Sequence, residues 1–109
     1  MTQSELAIKQ EELIRQEKKL KAMFLSITSI FNYTPEHILS GSKKYPLPYI
    51  VCIIANKFNN DGYDAETIGR IINRDRTTII GCIKKYPEWL RYDKKFNIFV
   101  NKFNEFLEN

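Results

Sequence analysis

The chain has 109 residues, 43% of them hydrophobic and 13% aromatic, which suits one domain with one modest core. With 28% charged residues and only four Gly and four Pro, it fits neither a disordered chain nor a loop-rich disulfide scaffold. A net charge of +4 and an isoelectric point near 9.1 keep polyanions among the possible partners. The longest apolar run, Tyr49 to Ala55, falls far short of the roughly 20 residues of a membrane span, and the polar start MTQSELAIKQ lacks a signal-peptide apolar segment. The expectation is a cytoplasmic, mostly helical domain with no membrane partner.

From Ser4 to about Phe31 there is no Gly or Pro, and Ser4 can cap a helix. Leu6, Leu13, Leu20 and Ile27 recur every seven residues, with Met23 and Ile30 three beyond the last two, but the earlier partners Lys9 and Gln16 are polar. The seam is therefore half formed as a coiled coil. Two readings stand side by side: a helix whose second half docks on the core while its charged first half is solvated, or a helix that forms a homodimer. Residues 1–21 are assigned to this charged helix, continuous with a domain over residues 22–109.

Next, Thr34 ahead of Pro35, Glu36 and His37 makes a capped helical turn through about Leu39, and Ser40 to Pro46 reads as a loop. Pro48 suits the first turn of a helix running to about Phe58. The β-branched stretch YIVCII inside it has strand propensity, and only the proline, the length and the helical neighbours favour helix. Asn59 to Gly62 form a turn, and Asp64 caps a short helix over Ala65 to Ile72, with Ile68, Ile71 and Ile72 on its apolar face.

Six polar residues, Asn73 to Thr78, then stand in front of Ile79, Ile80 and Ile83. The pattern predicts a tight turn and a second helix from about Asp75 to Tyr86, ended by Pro87. Two short helices joined this way form a helix-turn-helix, whose second helix presents its N-terminal side chains to base edges in the major groove. Arg76 has the fork for guanine, Thr77 and Thr78 offer hydroxyls and methyls, and Asp75 suits either an N-cap or an acceptor from cytosine. Asp93 caps a last helix over Lys94 to Leu107, whose stripe of Phe96, Phe99, Val100, Phe103, Phe106 and Leu107 reads as core.

The stretch ETIGRIINRDRTTIIGCIKK resembles the signature of the C-terminal DNA-binding domain of bacterial DnaA-type replication initiators. There, I-G, a short spacer, R-D-H-[ST]-T and an apolar residue form the turn and the start of the recognition helix. Ile68, Gly69, Arg74, Asp75, Thr77, Thr78 and Ile79 match. Upstream, a short helix ending in Leu39-Ser40, a basic loop and a helix with an early Pro are similar to the same domain, so the resemblance covers about residues 22–107. It implies a small all-α domain containing the helix-turn-helix, flanked here by the N-terminal helix and the C-terminal amphipathic helix. It also implies that Lys43 and Lys44 touch the minor groove while Asp75, Arg76, Thr77 and Thr78 enter the major groove. Arg76 replaces the family's His, Leu47 replaces the usual Arg before the helix proline, and the loop is shorter and carries Lys rather than several Arg. The family's sequence preference therefore does not transfer. No GxxxxGK[ST] loop occurs in the chain, so the expectation is a module without ATP chemistry of its own, suited to a phage or mobile element.

Charge agrees with this placement. Residues 37–86 carry eight basic side chains (Lys43, Lys44, Lys57, Arg70, Arg74, Arg76, Lys84, Lys85) against four acidic ones, while the segments on either side are balanced. The candidate DNA contacts are therefore Lys43, Lys44, Arg70, Arg74 and Lys84 toward phosphate, with Asn73, Asp75, Arg76, Thr77 and Thr78 in the turn and the first helical turn. The expected partner is double-stranded DNA. A protein-interaction or adaptor module on the same fold, without DNA contact, is the alternative, and Leu47 supports it. The lone His37 reads as a surface residue, and with no paired carboxylates near it no nucleophile and base emerge, so no enzyme is expected. Cys52 and Cys82, 30 positions apart in apolar segments, read as two buried free thiols; no metal site and no cofactor are expected.

Overall fold

The computed structural model describes residues 2–108 as six helices: α1 (Gln3–Ile30), α2 (Pro35–Leu39), α3 (Leu47–Asn60), α4 (Ala65–Ile72), α5 (Arg76–Tyr92) and α6 (Lys94–Glu108). No strand occurs among the described residues, as the all-α expectation required. No described helix is long and apolar enough to cross a membrane.

Thr2, not Ser4, caps α1. The Thr2 Oγ1 accepts from the Glu5 N–H at 3.2 Å and the Glu5 carboxylate accepts from the Thr2 N–H at 3.3 Å. This reciprocal pair needs a carboxylate three residues after the cap, and Ser4 has Ala7 there. The heptad seam divides in two. Leu20 and Ile27 are buried and Met23 and Ile30 half-buried against the core, whereas Leu6 and Leu13 remain 49% and 56% exposed. Every residue from Thr2 to Gln16 is exposed, so the first half of α1 projects from the body.

α3 is the central element, packing against α1, α4, α5 and α6. Ile50, Val51, Cys52, Ile53, Ile54 and Ala55 are all buried, so consecutive residues on every side of the helix leave water. Fully burying each Ile or Val side chain contributes about 1.5–3 kcal/mol, which overrides a strand propensity whose whole scale spans about 1 kcal/mol. Burial on all faces is the mark of a central helix, and it decides the conformation that local propensity left ambiguous.

α5 does not end at Pro87 as expected but continues to Tyr92. A proline inside a helix costs about 3 kcal/mol, because it removes one backbone bond and crowds the preceding turn. The compensation is aromatic. Tyr86 and Trp89 flank Pro87 on the chain and meet Phe96 edge to face at ring separations of 5.4 and 5.5 Å, while Trp89 meets Tyr49 at 5.3 Å. Such pairs add about 0.5–1.5 kcal/mol each beyond burial, and ending the helix at Tyr86 would move Trp89 off this cluster. Asn97 closes the far end by donating from Nδ2 to the Leu90 and Asp93 carbonyls at 2.7 and 2.9 Å.

Two further expectations are corrected. The stripe of α6 is buried only at Phe96, Val100 and Phe103; Phe99 is half-buried, and Phe106 and Leu107 are exposed because the helix outruns the core. Of the two thiols, Cys52 is buried but Cys82 is half-buried, since it lies on the side of α5 facing a surface groove.

Asp93 joins α3 to the start of α6. Its Oδ1 accepts from the Phe96 N–H at 3.1 Å, capping α6, and its Oδ2 accepts from the Tyr49 hydroxyl. The Tyr49 bond, aided by the Phe96 N–H, holds the Asp93 carboxyl below its ordinary range, and the same bond, with burial, pushes the Tyr49 phenol up to about 12. Ionised Asp93 therefore stabilises the fold above about pH 4, its unfolded value, and this contribution fades as pH falls through the lowered folded value. Protonated Tyr49 contributes fully below about pH 10 and its contribution is lost as pH rises through about 12. Tyr49→Phe should consequently lower the urea unfolding midpoint across neutral pH. The gap from wild type should narrow at both the acid and alkaline limits; a gap independent of pH would show that the loss is one of packing alone.

Candidate nucleic-acid interface

The candidate site is organised by the turn between α4 and α5. Asp64 caps α4 through a 2.8 Å bond from the Thr67 N–H, and Asp75 caps α5 through a 2.8 Å bond from the Thr78 N–H. In each case the accepted backbone bond is the leading reason that the carboxyl sits below its ordinary range. Asp75 thus acts as the N-cap of α5 through one carboxylate oxygen. Asn73 ends α4 in the left-handed conformation, φ 55° and ψ 55°, which Asn tolerates better than most residues. The Arg74 N–H then donates back to the Gly69 carbonyl at 2.9 Å. Gly69 is required at this point because a Cβ would collide with the Arg74 carbonyl oxygen.

The side chains of the turn reach a third element. Asn73 Nδ2 donates to the Leu39 carbonyl at 2.8 Å, and Arg74 Nη1 donates to the Ile38 carbonyl at 2.6 Å and to those of Ile72 and Asn73 at 3.2 and 3.1 Å. The bonds to Leu39 and Ile38 reach carbonyls at the C-terminal end of α2, where helix carbonyls lack a partner in the next turn; the Ile38 carbonyl also accepts from the Gly41 N–H at 3.3 Å. Asn73 and Arg74, read from the sequence as candidate contacts, thus tie the turn to α2. Burial lowers the Arg74 pKa, and its Nη2 is buried without a partner. At the other end of α2, His37 Nδ1 accepts from the Thr34 N–H at 3.2 Å, completing a capping box. Ser40 donates to the His37 carbonyl at 2.7 Å and accepts from the Ser42 N–H at 3.3 Å, and Ser42 in turn accepts from the Lys44 N–H at 3.3 Å. This chain of short contacts carries the loop with Lys43 and Lys44 to the side of α5.

The remaining predicted residues fall on two flanks of α5. Lys43 shares a groove of about 530 Å³ with Thr77, Thr78, Gly81 and Lys85, floored by α3 at Pro48, Val51 and Cys52. Arg76 and Lys84 border a second groove of about 550 Å³ whose opposite wall, at the start of α4, holds Asp64 and Glu66. Arg70 is exposed and shared between Glu17 at 3.3 Å and Glu66 at 3.9 Å. Among the described residues, the ion pairs engage only Lys57 and Arg70 of the basic residues in the middle of the chain. Lys43, Lys44, Arg76, Lys84 and Lys85 therefore stand exposed with no carboxylate within ion-pair distance.

Sequence reasoning counted Lys85 in the basic middle segment but named neither it nor Gly81 as a candidate contact. Lys85 lies seven residues after Thr78, a spacing that returns to the same flank of a helix, and its ammonium rests 5.8 Å from the centre of the Trp89 ring. Gly81 sits on the outer ridge of α5 with nothing within 4 Å of where a Cβ would be, so no packing inside the chain calls for glycine there. Comparison with family models, with curated proteins and with solved structures gave no match for this chain.

Two substitutions test the tie between the turn and α2, and a third serves as control. Arg74→Ala should cost roughly 1.5–3 kcal/mol of unfolding free energy, the range for hydrogen bonds to a charged group. Gly69→Ala should also be strongly destabilising, because the obstructing atom is backbone and cannot turn aside. Lys44→Ala, on the exposed loop, should stay within about 0.5 kcal/mol of wild type. Denaturant titrations that found Arg74→Ala as mild as Lys44→Ala would show that Arg74 does not hold the turn to α2.

Proposed function

We propose that the chain binds double-stranded DNA, with α4, the turn and α5 acting as a helix-turn-helix of the kind that the resemblance to DnaA-type initiator domains implies. The observation that carries this reading is the set of exposed cations without ion-pair partners around the first three turns of α5: Lys43 and Lys44 on the loop, and Arg76, Lys84 and Lys85 on the helix. Such a set repels itself unless a polyanion supplies the counter-charge. A helix laid in the major groove needs polar side chains at its start and room for close approach. Arg76, Thr77 and Thr78 supply the first, and Gly81, one turn further along the outer ridge, supplies the second. The loop lysines fall beside the helix, toward flanking backbone or the minor groove.

Three measurements test this. Affinity for duplex DNA should fall with salt by about 0.9 log units per log unit for each phosphate contacted, and replacing Lys43 and Lys44 by Ala should make that slope shallower; a flat response in the wild type rejects the reading. Arg76→Ala should lose roughly 1–3 kcal/mol on the preferred site and much less on random duplex. Gly81→Ala should raise fold stability by about 0.5–1 kcal/mol through helix propensity, yet weaken DNA binding. Improved stability with unchanged binding would place the outer ridge away from the DNA.

The projecting half of α1 supports an adaptor role on the same fold. Leu6, Gln10, Leu13 and Glu17 continue the line of Leu20, Phe24, Ile27 and Phe31 at alternating steps of four and three residues, and in the body that line is buried. A second copy is the occupant we infer. Glu5, Glu11 and Glu12 near one end and Arg15, Lys18 and Lys19 toward the other favour antiparallel pairing. With Gln10 and Glu17 in the seam the dimer should be weak. Sedimentation should show concentration-dependent self-association, abolished in Leu13→Lys without loss of fold stability; a monomer at high concentration would leave this face to another protein.

A further inference from the structure

Cys52 and Cys82 take no part in the function proposed above, yet α3 and α5 bring them to one place. Both line the groove that also holds Lys43, Arg74 and Lys85, and no carboxylate is among its lining residues. They differ in access: Cys52 is 1% exposed, while Cys82 is half-buried at the groove wall. The neighbouring Cys52 thiol is the leading reason that the Cys82 thiol lies below its ordinary pKa; burial opposes it, and the charges of Lys85 and Arg74 add to it. The neighbouring Cys82 thiol, together with burial, pushes the Cys52 thiol up. One sulfur is accessible at the groove, and a second lies buried on its α3 side. This is the arrangement of an attacking and a resolving cysteine.

We propose that Cys82 is a site of oxidative modification that reacts with hydroperoxides, and that Cys52 resolves the product as a disulfide joining α3 to α5. In the first step the Cys82 thiolate attacks the outer oxygen of the hydroperoxide. A sulfur–oxygen bond forms, the oxygen–oxygen bond breaks, and the departing alkoxide or hydroxide takes a proton from water, leaving Cys82 as the sulfenic acid. In the second step the Cys52 sulfur attacks Cys82. The sulfur–sulfur bond forms, the sulfur–oxygen bond breaks, and the hydroxyl leaves as water with the Cys52 proton. The two sulfurs together give up two electrons, and the hydroperoxide receives them. The positive groove assists because Lys85 and Arg74 stabilise the thiolate before attack and the oxygen anion that departs. Thiols exposed to the reducing cytosol form such bridges only transiently, so the disulfide is a reversible state rather than a structural staple. The bridge closes on the α5 flank that carries Thr78 and Lys85, nearly two turns from the start of the helix. The proposal does not rest on DNA binding.

Hydrogen peroxide added to the native protein, followed by intact mass and peptide mapping, tests it. Wild type should lose two hydrogen atoms within one molecule, as a Cys52–Cys82 bridge, and dithiothreitol should restore them. Cys52→Ser should stop at a sulfenic acid on Cys82 that dimedone traps, and Cys82→Ser should react with neither reagent at the same dose. In the unsubstituted protein, a brief pulse of iodoacetamide should label Cys82 at least about tenfold faster than Cys52, in keeping with thiolate population and access. Equal labelling of the two thiols, a bridge between two molecules in place of one within a molecule, or both thiols still free after peroxide would each overturn the proposal. The labelling and mass results come from the wild-type chain, so they decide the matter even if a serine variant folds poorly.

Discussion

The arrangement of the candidate interface depends on one set of hydrogen bonds, those from Asn73 and Arg74 to the Leu39 and Ile38 carbonyls. The turn between α4 and α5 could lie in many positions relative to α2 if it were held only by its own backbone. A planar guanidinium that gathers three carbonyls has few geometries open to it. Once it is seated, the C-terminal end of α2 is fixed against the start of α5, and the loop that leaves α2 delivers Lys43 to the side of Thr77 and Thr78. Gly69 makes the seating possible by leaving space for the Arg74 carbonyl. The arginine is costly to bury, as its unpartnered Nη2 and depressed pKa indicate, and three carbonyl acceptors on Nη1 offset that cost.

A second constraint acts at the opposite end of the molecule. Pro87 would terminate α5 if only local preferences counted, but Trp89, Tyr86, Tyr49 and Phe96 form a contiguous aromatic cluster that requires a helical course through residue 89. The long α5 links the two ends, so its exposed first turns are carried by a rod whose last turns are anchored in aromatic packing. Asp93 strengthens the anchor by capping α6 while accepting from Tyr49 on α3. Such a base limits displacement at the start of the helix, because the far end is firmly held.

The charge pattern and the packing pattern occupy different faces. The apolar residues of α3 and α4, with Phe96, Val100 and Phe103 of α6, turn inward, and among the described residues the middle-region cations with ion-pair partners are Lys57 and Arg70. The others surround the start of α5. On the projecting half of α1 the situation reverses: apolar residues continue the core-facing line into solvent with no body beneath them. The two faces lie on different elements, α5 and α1, and differ in chemistry, one cationic and one apolar.

Most of the helices were legible in the sequence, because Thr34-Pro35, Asp64, Asp75 and Asp93 are local caps whose chemistry acts over three residues. The basic middle segment and the polar run Asn73 to Thr78 were legible for the same reason: composition and spacing are properties of the chain itself. Other features required the fold. Ser4 was a plausible cap until Thr2 and Glu5 closed a better one, and Pro87 was a stop signal until distant aromatics outweighed it. Phe106 and Leu107 continued an apolar stripe that the core was too short to cover, and Cys82 looked buried until α5 turned it toward a groove. Nothing near Arg74 in the chain announces that its guanidinium is spent on carbonyls of α2, more than 30 residues earlier. By itself the sequence determined where the capped helices α2, α4, α5 and α6 begin and where positive charge collects, since caps, periodicity and composition are local. Tertiary structure alone decided which of the polar residues face solvent and which hold the fold together, because a hydrogen-bond partner or an aromatic neighbour supplied by another helix has no counterpart in local sequence.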